Sequence, residues 1–233
     1  MIYHVSINGS DNNDGIYAPF RHINHAAALA QEGDTVVIHD GVYREWVDPR
    51  HSGVTYEAAS GEHPIIKGSE VVTGWTLVKD TVWEARVPNT LFGEWNPYEK
   101  KVEGDWMYKP DEYDAHLGDV YLNGRSLYEA SSLEDLHEAP IRYSGFQYLM
   151  EPEVEPIHDP QYTVYRWYAQ VEADYTCILC NFHEFDPNQE LVEINVRKCC
   201  FYPSTPGINR ITVRGLGTES RTSKWATFLK ISG

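Results

Sequence analysis

Basic residues are scarce in this 233-residue chain: 19 Lys and Arg stand against 35 Asp and Glu, a formal net charge of -16. A chain so acidic repels phosphate backbones and anionic lipid surfaces, so no nucleic acid and no membrane is expected as a partner. Long apolar runs are missing too, since none approaches the roughly 18 residues that a bilayer span requires. The first residues, Met1 to Ile7, alternate like a strand and show neither a basic nor an apolar leader segment, so the chain as written is expected to be soluble and cytoplasmic. Cysteine is sparse, with Cys177, Cys180, Cys199 and Cys200 its only positions. Their spacing invites a zinc reading. Against it, Tyr175 to Phe182 reads as a strand, where positions three apart point to opposite faces, and the neighbours Cys199 and Cys200 diverge as well. Small buried hydrophobes are the expectation, with no metal and no cofactor.

Aromatic side chains are what the chain has in abundance, with 7 Trp and 16 Tyr. An aromatic face covers the apolar C–H face of a pyranose while carboxylates and amides take its hydroxyls, so an acidic, Tyr- and Trp-rich chain suits sugars.

The chain opens in a regular way. Residues 8 to 19 are rich in Asn, Asp and Gly and read as a turn-forming loop. Their oxygens could hold calcium, but no Glu closes an EF-hand spacing, so a solvated turn is expected. An alanine-rich stretch, Ile23 to Gln31, then places Ile23, Ala26, Ala27 and Ala30 at helical spacing, with Gly33 expected as the residue that stops the helix. His22 and His25, three apart, read as solvated helix positions because no nearby carboxylate or cysteine completes a metal site. Short strands follow from Thr35, and recur at Val54 to Glu57, Pro64 to Lys67, Leu191 to Arg197 and Ile208 to Arg214. Their spacing is near one coil of about 20 residues once a long interruption is set aside. This predicts an all-β chain that begins a right-handed parallel β-helix, with the helix capping its first coil.

Between Thr73 and Glu190 the texture changes to aromatic strands and long polar loops. Two runs meeting at Asn123-Gly124 are a strong hairpin signal, so this insert is expected to be antiparallel, a β-sandwich. Ser131 to His137 reads as a helical turn. The expected organisation is residues 1–72 as the first coils, 73–190 as the insert, 191–216 as a return to the coils, and 217–233 as a divergent tail in which basic residues predominate and the repeat pattern is lost.

The residues also resemble a known family. Tyr3-His4-Val5, Asn8-Gly9-Ser10-Asp11, Pro19-Phe20, Gly33-Asp34-Thr35 and Gly41-Val42-Tyr43 are similar to the start of many parallel β-helix carbohydrate-active enzymes. More specific are Phe92 to Tyr98 (FGEWNPY), Gly104-Asp105-Trp106, Leu117 to Gly124 (LGDVYLNG), Val192 to Arg197, Cys200-Phe201-Tyr202-Pro203 and Gly207-Ile208. These look like the N-terminal portion of glycoside hydrolase family 120, the β-xylosidases.

The resemblance implies a retaining hydrolysis that releases xylose from short xylo-oligosaccharides. That chemistry needs a carboxylate nucleophile and a protonated carboxylic acid about 5 to 5.5 Å apart. In the family, the resemblance implies, these acids lie on later coils, beyond the sequence in hand, so no catalytic residue is carried over. Glu94, Trp95, Tyr98, Asp105 and Trp106 are the candidate substrate-binding residues, acids and aromatics that border the sugar, in their own subunit or in a neighbouring copy of a homo-oligomer. The competing reading of the same residues is a loop packed on the fold, its acids capping amides. Two other functions fit the sequence: a polysaccharide lyase, which the acidic charge disfavours, and a non-catalytic carbohydrate-binding or oligomer-assembly module.

Overall fold

The computed structural model of the protein describes residues 1–102, 115–144 and 156–219. Sheet dominates and helices are few, so the fold is mainly β. The chain divides into two compact units, one made of Met1–Glu70 and Arg197–Gly233, the other of Val71–Val196. In chain order the elements are β1 (Ile2–Val5), α1 (Ile23–Leu29), β2 (Thr35–Ile38), β3 (Val42–Tyr43), β4 (Thr55–Ala58), β5 (Ile65–Lys67), β6 (Ser69–Val71), β7 (Thr76–Lys79) and β8 (Val82–Pro88). Then come β9 (Val120–Leu122), β10 (Arg125–Ser126), β11 (Tyr128–Glu129), α2 (Leu133–Glu138), β12 (Arg166–Val171), β13 (Tyr175–Asn181), β14 (Val192–Asn195), β15 (Thr212–Arg214) and β16 (Gly217–Glu219).

In the first unit every strand pairing is parallel. One sheet runs β1-β2-β4-β15 and the other β3-β5-β16. Alternation along each short strand sends one set of side chains inward, and parallel register stacks like positions. Tyr3 lies beside Val36, Val36 beside Tyr56, and Tyr56 beside Val213. Tyr3, Val36 and Tyr56 are buried, and so are Val5 and Ile38 one pleat along. Each buried aliphatic side chain of this ladder contributes roughly 1.5–3 kcal/mol. Helix α1 adds Ile23, Ala26 and Ala27 to the same core. Its first amides, of Ile23 and Asn24, are capped by the two carboxylate oxygens of Glu45 at 2.9 and 3.0 Å.

Several expectations shift here. Helix α1 ends two residues early, at Leu29, because Ala30 turns extended (φ -61°, ψ 135°) while still donating to the Ala26 carbonyl. Gly33 is therefore not the helix stop. It takes φ 87° in the turn before β2 and donates to Gly53 at 2.9 Å. A carboxylate does stand beside His22: Asp11 accepts from the amides of Arg21 and His22 and meets the His22 ring at 2.5 Å. Asp14 likewise accepts from the amides of Ile16, Tyr17 and Ala18. The acids of this loop fold its own backbone.

In the second unit the main sheet runs β11-β12-β13-β8-β7, antiparallel except for the parallel β11–β12 pair. Strand β9 lies between β10 and β14, antiparallel to both. The β9–β10 turn is Asn123-Gly124 with φ 53° and 81°, the left-handed pair that a two-residue hairpin requires. Trp75, Phe92, Tyr98, Trp167, Ile178 and Phe182 build the larger core. Strand β13 is buried on both faces: Cys180 joins that core, whereas Cys177 packs with Val82, Leu136 and Leu179 in a second cluster.

Helix α2 is capped by the Ser132 hydroxyl, which accepts from the Asp135 amide at 3.1 Å. Arg166, fully buried, pins it by bonding the carbonyls of Thr163 and Asp135 and the Asp135 carboxylate, which Arg142 also meets at 2.6 Å.

Two segments depart from the expected organisation. Val192 to Asn195 does not rejoin the first unit. It pairs antiparallel with β9, and the first unit resumes at Arg197. All four residues of β14 are buried, Glu193 and Asn195 included, so its polar alternation marks internally satisfied groups and not a solvent face. Conversely, Gly217–Glu219, placed in the divergent tail, still pairs parallel with β5. Backbone groups make this pairing, with Gly217 donating to Pro64 at 3.0 Å, and Lys67 meets the Glu219 carboxylate at 3.3 Å. A ladder can therefore persist where the side-chain pattern fades.

Candidate functional site

The sequence directs attention to the loop after β8. Asp105 and Trp106 lie outside the described residues. Glu94 is exposed and Trp95 half-buried, with the Trp95 amide donating to Phe92 at 3.2 Å. Tyr98 is different: only 2% of it is exposed. Its ring makes edge contacts with Phe92 and Trp167 at centroid distances of 5.7 and 5.5 Å. Its hydroxyl donates to the Asp119 carbonyl at 2.6 Å and lies 3.1 Å from the Asn195 amide oxygen. Burial pushes the phenol pKa well up. Gly118 sits against the ring so closely that a Cβ there would lie 2.4 Å from it. Tyr98 is thus a core residue that anchors the loop, and no face of it is offered to a sugar. Trp95 and Glu94 keep surface positions.

Asn195 completes this anchor. Its side chain accepts from the Asp119 amide at 2.7 Å and donates to the Leu117 carbonyl at 2.9 Å. The Asp119 carboxylate accepts from the Val120 amide and the Ser126 hydroxyl, so it fastens the hairpin.

A glycosidase acid must hold its proton in the resting state. Among the described residues, several buried carboxylates are occupied by donors. Asp34 meets the N-terminal ammonium and the Gln31 amide, Glu45 caps α1, and Glu129 takes the amide and ring of His116, the latter at 2.6 Å. For Asp135, burial raises the pKa, but the Ser131 amide and the Arg142 and Arg166 guanidiniums outweigh it and leave the carboxyl below its ordinary range. These acids are spent on the fold's own amides, ring and cations.

The second unit also carries a cleft of about 380 Å³ that the sequence did not announce. It is lined by residues from three separated segments, Ile141, Asp159 to Tyr165, and His183-Glu184. The Tyr162 and Tyr165 rings lie 4.8 Å apart, and the Arg125 guanidinium covers Tyr162 at 3.4 Å while bridging to Asp159 at 2.8 Å. Burial pushes the Tyr162 phenol up to about 12. Hydrogen bonding from the Tyr165 hydroxyl holds Glu184 below the usual carboxylate range, and the His183 ring is 3.3 Å from it. No local motif marks this place, since its groups meet only through the sheet.

Comparison with known proteins adds an identification to this geometry. Residues 72–194, more than half of the chain, match the family described as glycoside hydrolase 120, insertion domain. The solved structure of XylC in complex with xylose superimposes with a TM-score of 0.92 at 45% identity, over 97% of this chain and 36% of XylC. The uncharacterized protein YwoF of Bacillus subtilis (strain 168) is 40% identical over 74 residues, 29% of this chain and 16% of YwoF. The chain therefore spans little more than a third of the solved relative.

Proposed function

Because the chain belongs to glycoside hydrolase family 120, we propose that it forms the N-terminal part of a retaining β-xylosidase acting on xylo-oligosaccharides. In this reading the first unit supplies the opening coils of a right-handed parallel β-helix, and Val71–Val196 is an inserted β-sandwich. The nucleophile and the acid come from the part of the enzyme outside these residues. The observation that carries the proposal is the likeness to XylC over 97% of this chain, XylC having been solved with xylose. The donors around Glu45, Glu129 and Asp135 support it, because they tie these acids to the fold.

The role left to this chain is support and substrate approach. The exposure of Glu94 and the partial exposure of Trp95 support a sugar contact by these two residues. The test is hydrolysis of a nitrophenyl β-xyloside by purified chain 1–233 and by a longer family protein carrying the same N-terminal part. The longer protein is expected to turn over with retention of anomeric configuration and the short chain to be inactive. Turnover by the pure short chain, abolished by changing an acid within residues 1–215, sinks the reading.

A further inference from the structure

We propose that the cleft between Ile141, Asp159–Tyr165 and His183-Glu184 is a binding site for a neutral sugar of one or two pyranose units. Its volume, about 380 Å³, sits at the small end of the range of roughly 300–1,000 Å³ that small-molecule sites occupy. Size alone points to a mono- or disaccharide, and the wall chemistry selects among small ligands.

Two carboxylates, Asp159 and Glu184, line the cleft, so an anionic ligand is repelled. A cationic ligand gains little, because Asp159 already has Arg125 at 2.8 Å and Glu184 has the His183 ring at 3.3 Å. What these carboxyl groups can still do is accept: a carboxylate offers about four lone-pair sites, and a sugar brings hydroxyl donors. Gln161, exposed at the wall, adds an amide that can both donate and accept. Ile141, 37% exposed, provides apolar surface for the C–H groups of a pyranose, and the part of Tyr162 that lines the cleft adds to it.

The site is also held in shape before any ligand arrives. Arg125 stacks on Tyr162 at 3.4 Å and is itself tied to Asp159, while the Tyr162 hydroxyl donates back to the Arg125 carbonyl at 3.3 Å. On the far wall His183 adopts φ 53°, an uncommon backbone conformation for a non-glycine residue. Its amide donates to the Asn181 side chain at 3.1 Å, which keeps the turn that presents Glu184. A wall whose rotamers are fixed loses less entropy on binding.

The inference rests on the family reading only for which sugar to try first. The experiment is an amide-resolved NMR titration of the chain with xylobiose, with cellobiose and with lysine amide as a cationic probe. It is repeated on Glu184→Ala and Gln161→Ala, whose exposed positions leave the fold intact. Xylobiose is expected to shift the amides of Gln161, His183 and Glu184 with millimolar affinity, and Glu184→Ala to weaken binding roughly ten-fold. No shift at these amides with either disaccharide overturns the proposal, as does unchanged affinity in both variants or a preference for lysine amide. Cellobiose bound in place of xylobiose supports the cleft and counts against the xylose assignment. Lost xyloside hydrolysis in the longer protein would count against the functional reading alone.

Discussion

The two units solve the same problem, burying a β-sheet face, by different means. In the first, stacked strands fill the interior rung by rung: Val5 lies beside Ile38, and Tyr3, Val36 and Tyr56 stand in line. In the second, a few large rings do the filling, with Trp75, Phe92, Tyr98, Trp167 and Phe182 meeting edge to face. A ladder of like rungs distributes its stability, since each coil contacts only its neighbours. A core of interlocked rings concentrates it, and one truncation reaches everything that ring touches. The contrast predicts sharp, local sensitivity in Val71–Val196 and shallow, graded sensitivity in the ladder.

The largest effect should come from Trp167→Ala. The residue is 1% exposed and braces Tyr98, and removing such a ring costs about 3–5 kcal/mol. Chemical denaturation should show unit two losing cooperativity while the ladder is spared; a uniform loss across both units would erase the comparison. Next is Asp135→Ala, which strands the buried Arg166 guanidinium at a cost of roughly 3 kcal/mol. The same pair carries a pH signature. Because the folded Asp135 pKa is depressed below 3.8, its contribution is fully present above about pH 4 and is lost as the pH falls through the folded value. An acid titration of wild type against Asp135→Ala, read by near-ultraviolet circular dichroism, should therefore converge at low pH.

Gly118→Ala comes third. A methyl forced against the Tyr98 ring should cost about 1–3 kcal/mol, and Tyr98→Leu in the same chain should recover part of it. The smallest effect belongs to the ladder: Ile38→Val, fully buried in β2, should cost about 0.5–1.5 kcal/mol, visible as a small shift in Tm. If Ile38→Val proves as damaging as Trp167→Ala, the ladder is not the distributed structure described above.

What was legible beforehand follows the same divide. Helix α1 and the early strands announce themselves by periodicity, because one face is buried and the other wet. Asn123-Gly124 announces its hairpin because few other residue pairs accept two left-handed conformations in succession. Strand β14 repeats the short-strand pattern of the coils, and only the fold shows it paired with β9, with Asn195 spent on Tyr98, Asp119 and Leu117. Tyr98 is ambiguous for a related reason: an aromatic residue in a polar loop has the same sequence whether it stacks on a sugar or plugs a core, and the fold puts it in the core. The cleft around Tyr162 and Glu184 has no signal to read, being assembled from three segments spread over more than forty residues. Family membership, carried by short motifs in both units, survived every one of these errors.

The join at the edge of the first unit has a consequence for how such a chain could be built. The Arg197 amide donates to the Gly68 carbonyl at 3.0 Å, and its side chain holds the Ser69 carbonyl and the Glu70 carboxylate. The first unit thus leaves and re-enters its own path at adjoining residues, as though Val71–Val196 were a tight turn. The chain entropy lost in closing that gap rises only slowly with the length between, by about 0.6 kcal/mol per doubling. A genome could splice such a cassette in, lengthen it or swap it without retuning the ladder. An engineer could do the reverse, joining Glu70 to Arg197 through a short glycine linker and obtaining the coils alone.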